Sequence, residues 1–103
     1  MADQHRFRTV VELPEYTAQL DEIVAKYPLD VIEPILRSLM WGISTNPTQY
    51  DTVLWNHRIA KSRAFRLETP TFRIFFKIEK QGQDDEQIVL CWIEEISAVD
   101  EQV

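Results

Sequence analysis

The chain is 103 residues long, 45% hydrophobic and 27% charged, with a net charge of −6 at neutral pH. That length fits one domain with a modest core of its own, and two glycines and a single cysteine exclude both a Gly-rich phosphate loop and an intramolecular disulfide. No apolar run approaches the roughly 18 residues of a membrane span, and the opening "MADQHRFR" lacks the apolar stretch of a secretory signal, so a cytoplasmic protein without membrane association is expected.

In chain order, residues 6–13 place Phe7, Thr9, Val11 and Leu13 on one side and Arg8, Val10 and Glu12 on the other, which predicts a strand ended by Pro14. Over 15–27, Tyr16, Leu20, Ile23, Val24 and Tyr27 recur at spacings of three and four, the apolar stripe of a helix. Pro28 stops it, because proline disfavours helical geometry in the residue before it. A second helix follows, with Asp30 as N-cap and Glu33 completing a capping box. Pro34 falls near its first turn, Ile32, Ile35, Leu36, Leu39, Met40 and Ile43 form its apolar face, and it ends before the turn at Asn46-Pro47. So short a link between two helices makes an antiparallel hairpin.

Residues 48–58 show no period and read as a loop anchored by Tyr50, Leu54 or Trp55. Residues 62–67 form a short strand, and 71–80 a long one in which Phe72, Ile74, Phe76 and Ile78 alternate with Arg73, Phe75, Lys77 and Glu79. After the polar connection "QGQDDEQ", the unbroken apolar run within 88–96 predicts a central strand buried on both faces, and 97–103 a frayed acidic tail. The order is β-α-α-β-β-β. The expected class is α+β, a helix hairpin packed on one face of a mainly antiparallel sheet, in a single domain over 1–103 with its core at about 7–96.

Charge is unevenly distributed. Residues 58–80 hold seven basic and two acidic side chains, whereas 81–103 hold seven acidic ones and no Lys or Arg. A basic segment in an acidic protein is either an anion-binding patch or the partner of the acidic tail. If a four-residue connection joins the 62–67 and 71–80 strands, Leu67 pairs with Phe72, Arg63 with Phe76 and Arg66 with Arg73. Phe65, Leu67, Phe72, Ile74, Phe76 and Ile78 then face the helices, and Arg66, Arg73, Phe75 and Lys77 face away. Guanidinium forks around an exposed ring suit phosphate and base stacking. The candidate nucleic-acid or anion-binding set is Lys61, Arg63, Arg66, Arg73, Phe75 and Lys77. Alternatively, Glu94 or Glu95 neutralises Arg73 from the neighbouring strand.

Other chemistries are poorly represented. His57 is either a general base or a loop-packing residue, Cys91 in "IVLCWI" reads as a small buried hydrophobe, and no acidic, His or Cys cluster has metal-ligand spacing. No metal and no cofactor is expected.

The element order, the "LMWGISTNP" ending of the second helix and the hairpin motif Phe65-Arg66-Leu67 followed by Phe72-Arg73-Ile74-Phe75-Phe76 together resemble the RelE/ParE superfamily of bacterial toxin–antitoxin systems. The resemblance implies a toxin-like protein bound by an antitoxin, with RNA, the ribosome or another macromolecule as target, and oligomers among its assemblies. In its endoribonuclease branch, basic residues on the hairpin strands hold the mRNA backbone. By resemblance, Arg66 and Arg73 take catalytic roles, stabilising charge as a 2′-hydroxyl attacks its adjacent phosphate. The basic residue and tyrosine that end such chains have no counterpart, since no Tyr follows Tyr50 and no Lys or Arg follows Lys80. The alternative is a non-catalytic protein-interaction domain on the same scaffold.

Overall fold

The computed structural model describes residues 8–53, 56–62, 70–80 and 85–96. Its elements run β1 (Thr9–Glu12), α1 (Pro14–Lys26), α2 (Leu29–Thr45), a short 3-10 helix (Pro47–Gln49), β2 (His57–Lys61), β3 (Thr71–Lys80) and β4 (Glu86–Ile96). The architecture is α+β with a four-stranded mixed sheet in the order β1-β4-β3-β2. β1 runs parallel to β4, whereas β3 is antiparallel to both β4 and β2. The unbroken apolar run therefore does occupy an inner strand, with Ile88, Val89 and Leu90 consecutively buried.

Pro14 opens α1 instead of merely ending β1, because a proline at the first helical position surrenders only an N–H that would lack a helical partner. Tyr27 is extended before Pro28, as steric conflict with the proline ring requires. Asp30 is not the N-cap of α2. Pro28 holds that position, and its carbonyl accepts the amides of Val31 and Ile32, so the helix starts before Asp30 and Glu33 pairs with Arg37 one turn on instead of closing a capping box.

Tyr16 and Ile23 of α1 and Ile32, Ile35, Leu39 and Ile43 of α2 pack on Phe72, Ile74, Phe76, Ile88, Leu90 and Ile93 of the sheet. Each such side chain contributes about 1.5–3 kcal/mol by leaving water. Val24, read as part of the α1 stripe, is 42% exposed at its margin. Tyr27 meets Phe72 edge-on at 6.1 Å, and Tyr50 meets Phe76 edge-on at 5.8 Å. The Tyr50 hydroxyl lies where a Cβ on residue 42 would sit, which accounts for a glycine inside α2.

The hairpin register differs from the expectation. β2 lies at His57–Lys61, starting within the segment read as loop and ending before the strand expected at 62–67, and pairs Arg58 with Phe76, Ile59 with Phe75, Ala60 with Ile74 and Lys61 with Arg73. Phe76 thus faces Arg58, not Arg63, and Arg73 faces Lys61, not Arg66. Arg58 conceals the strand in the sequence, because it is a basic residue at a helix-side position. Its Nη1 donates to the Tyr50 carbonyl at 2.7 Å. Arg63, Phe65, Arg66 and Leu67, and with them the strand expected at 62–67, lie outside the described residues. Ser62 closes the observed ladder: its amide donates to Phe72 O at 2.9 Å, and its hydroxyl accepts from Phe72 N at 2.8 Å.

Candidate anion-binding face

Alternation along β3 puts Phe72, Ile74 and Phe76 under the helices and leaves Arg73, Phe75 and Lys77 on the other face. Cross-strand register then builds that face in rows. Lys61, Arg73 and Glu94 form one row, Ile59, Phe75 and Trp92 the next, and His57, Lys77 and Val89 a third. Of the sequence-derived set, Lys61, Arg73, Phe75 and Lys77 are brought together, whereas Arg63 and Arg66 lie outside the described residues.

A β-bulge decides which carboxylate joins the face. Between Phe75 and Phe76 the register shifts: Phe76 pairs with Leu90 and Phe75 with Trp92, so Cys91 is the extra residue. One extra residue reverses the phase of the strand beyond it. Ile93 consequently faces the helices, Trp92 and Glu94 face outward, and Glu95 faces inward opposite Phe72.

Glu94 is engaged at both oxygens. Arg73 Nε donates to Oε2 at 2.9 Å, Arg73 Nη2 donates to the same oxygen, and Trp92 Nε1 donates to Oε1 at 3.0 Å. The Arg73 guanidinium carbon also lies 5.6 Å from the centre of the Phe75 ring, a cation–π contact. The Arg73 and Glu94 side chains are 37% and 32% exposed, so the pair is only partly shielded from water. Lys77 pairs with Glu79 at 3.2 Å on its own strand.

Glu95, on the opposite face, accepts from the Tyr27 hydroxyl and from Lys26 Nζ at 3.1 Å, tying the end of α1 to β4. That hydrogen bond, then burial and the carboxylate's charge, push the Tyr27 phenol up to about 12. Burial also raises the Cys91 thiol, and Lys77 opposes the shift without cancelling it. The thiolate is therefore disfavoured, which does not suit a nucleophile. Arg8 ties β1 to the core: Nη1 donates to the Ser44 and Thr45 carbonyls at 3.2 and 3.0 Å, and Nε donates to Glu86 at 2.7 Å. The Arg8 cation thus meets the negative end of the α2 dipole.

Sequence reasoning missed Trp92 as a member of the face and could not separate Glu94 from Glu95. The available signal was the Trp92–Glu94 spacing of two, which puts both on one side of a strand; the bulge that selects the side has no glycine to announce it. It also missed a groove along α2, where adjoining cavities of about 300 and 670 Å³ share Ser38, Gln49 and Tyr50. Among the described residues no group of three His, Cys, Asp or Glu side chains could hold a metal ion, and no helix is long and apolar enough to cross a membrane. No protein-family model, no curated protein and no solved structure matches the chain.

Proposed function

We propose that this chain is the toxin-like component of a bacterial toxin–antitoxin module on a RelE/ParE-like scaffold. In this reading it works in the cytoplasm, is restrained by an antitoxin protein, and acts on RNA, the ribosome or another macromolecular target. The observation that supports it is the gathering of Lys61, Arg73, Phe75 and Lys77 on the sheet face opposite the helix-packed core. Arg73 occupies the arginine position of the hairpin motif that carries the resemblance. Its guanidinium would hold a phosphate through two parallel donors and stabilise the charge that accumulates as a 2′-hydroxyl attacks. Arg66 would share that work. Induced expression in a bacterial host is expected to arrest growth, and an Arg66→Ala/Arg73→Ala variant to relieve the arrest. A wild-type chain that never arrests growth removes this reading.

One observation favours a second reading, a non-catalytic protein-interaction domain. Arg73 is already paired with a carboxylate of β4, the arrangement such a domain would use to neutralise its basic strand. This reading expects no RNA cleavage when ribosomes are present. Cleavage that depends on Arg73 would exclude it.

A further inference from the structure

The contacts of Glu94 exceed what holding two strands together requires. A partly exposed cross-strand ion pair contributes little to stability and needs no third partner. Here the second carboxylate oxygen is held as well, by the Trp92 indole N–H at 3.0 Å, so the group is fixed in position and orientation. Its Oε2 receives two donors from one guanidinium, from Nε and Nη2. A non-bridging phosphate oxygen takes the same kind of charge-assisted donors at an arginine. Neighbouring groups extend the likeness to a ligand site. Lys61 stands in the same row, on the other side of Arg73, and Phe75 and Trp92 stand side by side in the next row. Successive same-face rows lie about 7 Å apart along a strand, within reach of a base attached to a phosphate held in the first row.

We propose that Glu94 is an intramolecular occupant of the anion site on the sheet face away from the helices, an autoinhibitory carboxylate standing where a phosphate of a single-stranded RNA would bind and displaced when that strand docks. The inference deepens the nucleic-acid reading above and rests on it. Counted with Glu94, the Lys61–Arg73–Glu94 row carries one net positive charge; without it the row carries two. Glu94 thus sets the affinity of the face without contacting the docked strand. The Cys91 bulge is the structural device that installs it, because without the phase reversal Glu94 would face the helices.

The test is fluorescence anisotropy with a labelled single-stranded oligouridine and the full chain as wild type, Glu94→Gln and Glu95→Gln. The two substitutions change net charge equally, but Glu95 lies on the other side of the sheet and contacts Lys26 and Tyr27. Glu94→Gln is expected to bind about tenfold more tightly at low salt, the scale of one hydrogen-bonded contact to a charged group. Glu95→Gln should match wild type. No gain with Glu94→Gln, or an equal gain with Glu95→Gln, overturns the proposal. If circular dichroism shows that Glu94→Gln does not fold, Glu94→Asp, whose shorter side chain draws the carboxylate back from Arg73, should give a smaller gain in the same direction; an unchanged affinity then overturns it. Growth arrest by a wild-type chain whose RNA affinity does not respond to Glu94 refutes the carboxylate's role and leaves the toxin reading standing. A Glu94-dependent gain in a chain that never arrests growth does the reverse.

Discussion

Adjacent glutamates of β4 do opposite things. Glu94 serves the face away from the helices, whereas Glu95 receives Tyr27 and Lys26 from the end of α1. The Tyr27 phenol has a definite pH signature. Its folded value is about 12, above the ordinary 10, so the folded state holds the proton more tightly than the unfolded chain. Its contribution to stability is therefore complete below pH 10 and is lost as pH rises through about 12. Tyr27→Phe should be less stable than wild type at neutral pH, and the difference should shrink between pH 10 and 12. Urea melts of both proteins across that range check this. A difference that stays constant would show that the hydroxyl's bond to Glu95 has been misassigned.

At the level of elements, the bulge in β4 connects sequence to site. The extra residue matters by its presence and not by its chemistry. Cys91→Ala should therefore leave stability within about 1 kcal/mol of wild type and keep the Arg73–Glu94 pair. Deleting residue 91 should instead turn Glu94 toward the core and Ile93 toward water, a loss beyond about 4 kcal/mol that abolishes cooperative urea unfolding. A deletion variant that unfolds cooperatively at the wild-type midpoint would contradict the assigned phase. The same elements show what could be read in advance. α1, α2 and β3 follow from apolar periodicity, the inner position of β4 from its unbroken apolar run, and the outward placement of Arg73, Phe75 and Lys77 from strict alternation in β3. β2 was displaced because Arg58 breaks the apolar pattern while its head group reaches a backbone carbonyl. The start of α2 shifted because a proline carbonyl, not an Asp side chain, receives its first amides. The choice between Glu94 and Glu95 depended on a single inserted residue, which periodicity cannot locate.

For the whole molecule, the charge imbalance resolves into geometry. The acidic last third is not simply a tail: β4 lies inside the sheet, and its carboxylates meet cations from three other elements or flanks, as Arg8–Glu86, Lys26–Glu95 and Arg73–Glu94. A basic strand placed beside an acidic one has much of its field cancelled within the fold, so the affinity of the Arg73 face for an anion is set by how firmly β4 holds its arginine. The Arg73 Nε–H proton reports this. In a two-dimensional proton–nitrogen NMR spectrum, the wild-type chain is expected to show a slowly exchanging Arg73 Nε–H resonance that disappears in Glu94→Gln and persists in Glu95→Gln. A wild-type resonance that exchanges as fast as that of a fully solvated arginine, or one lost with Glu95→Gln and retained with Glu94→Gln, would contradict the closed Arg73–Glu94 contact.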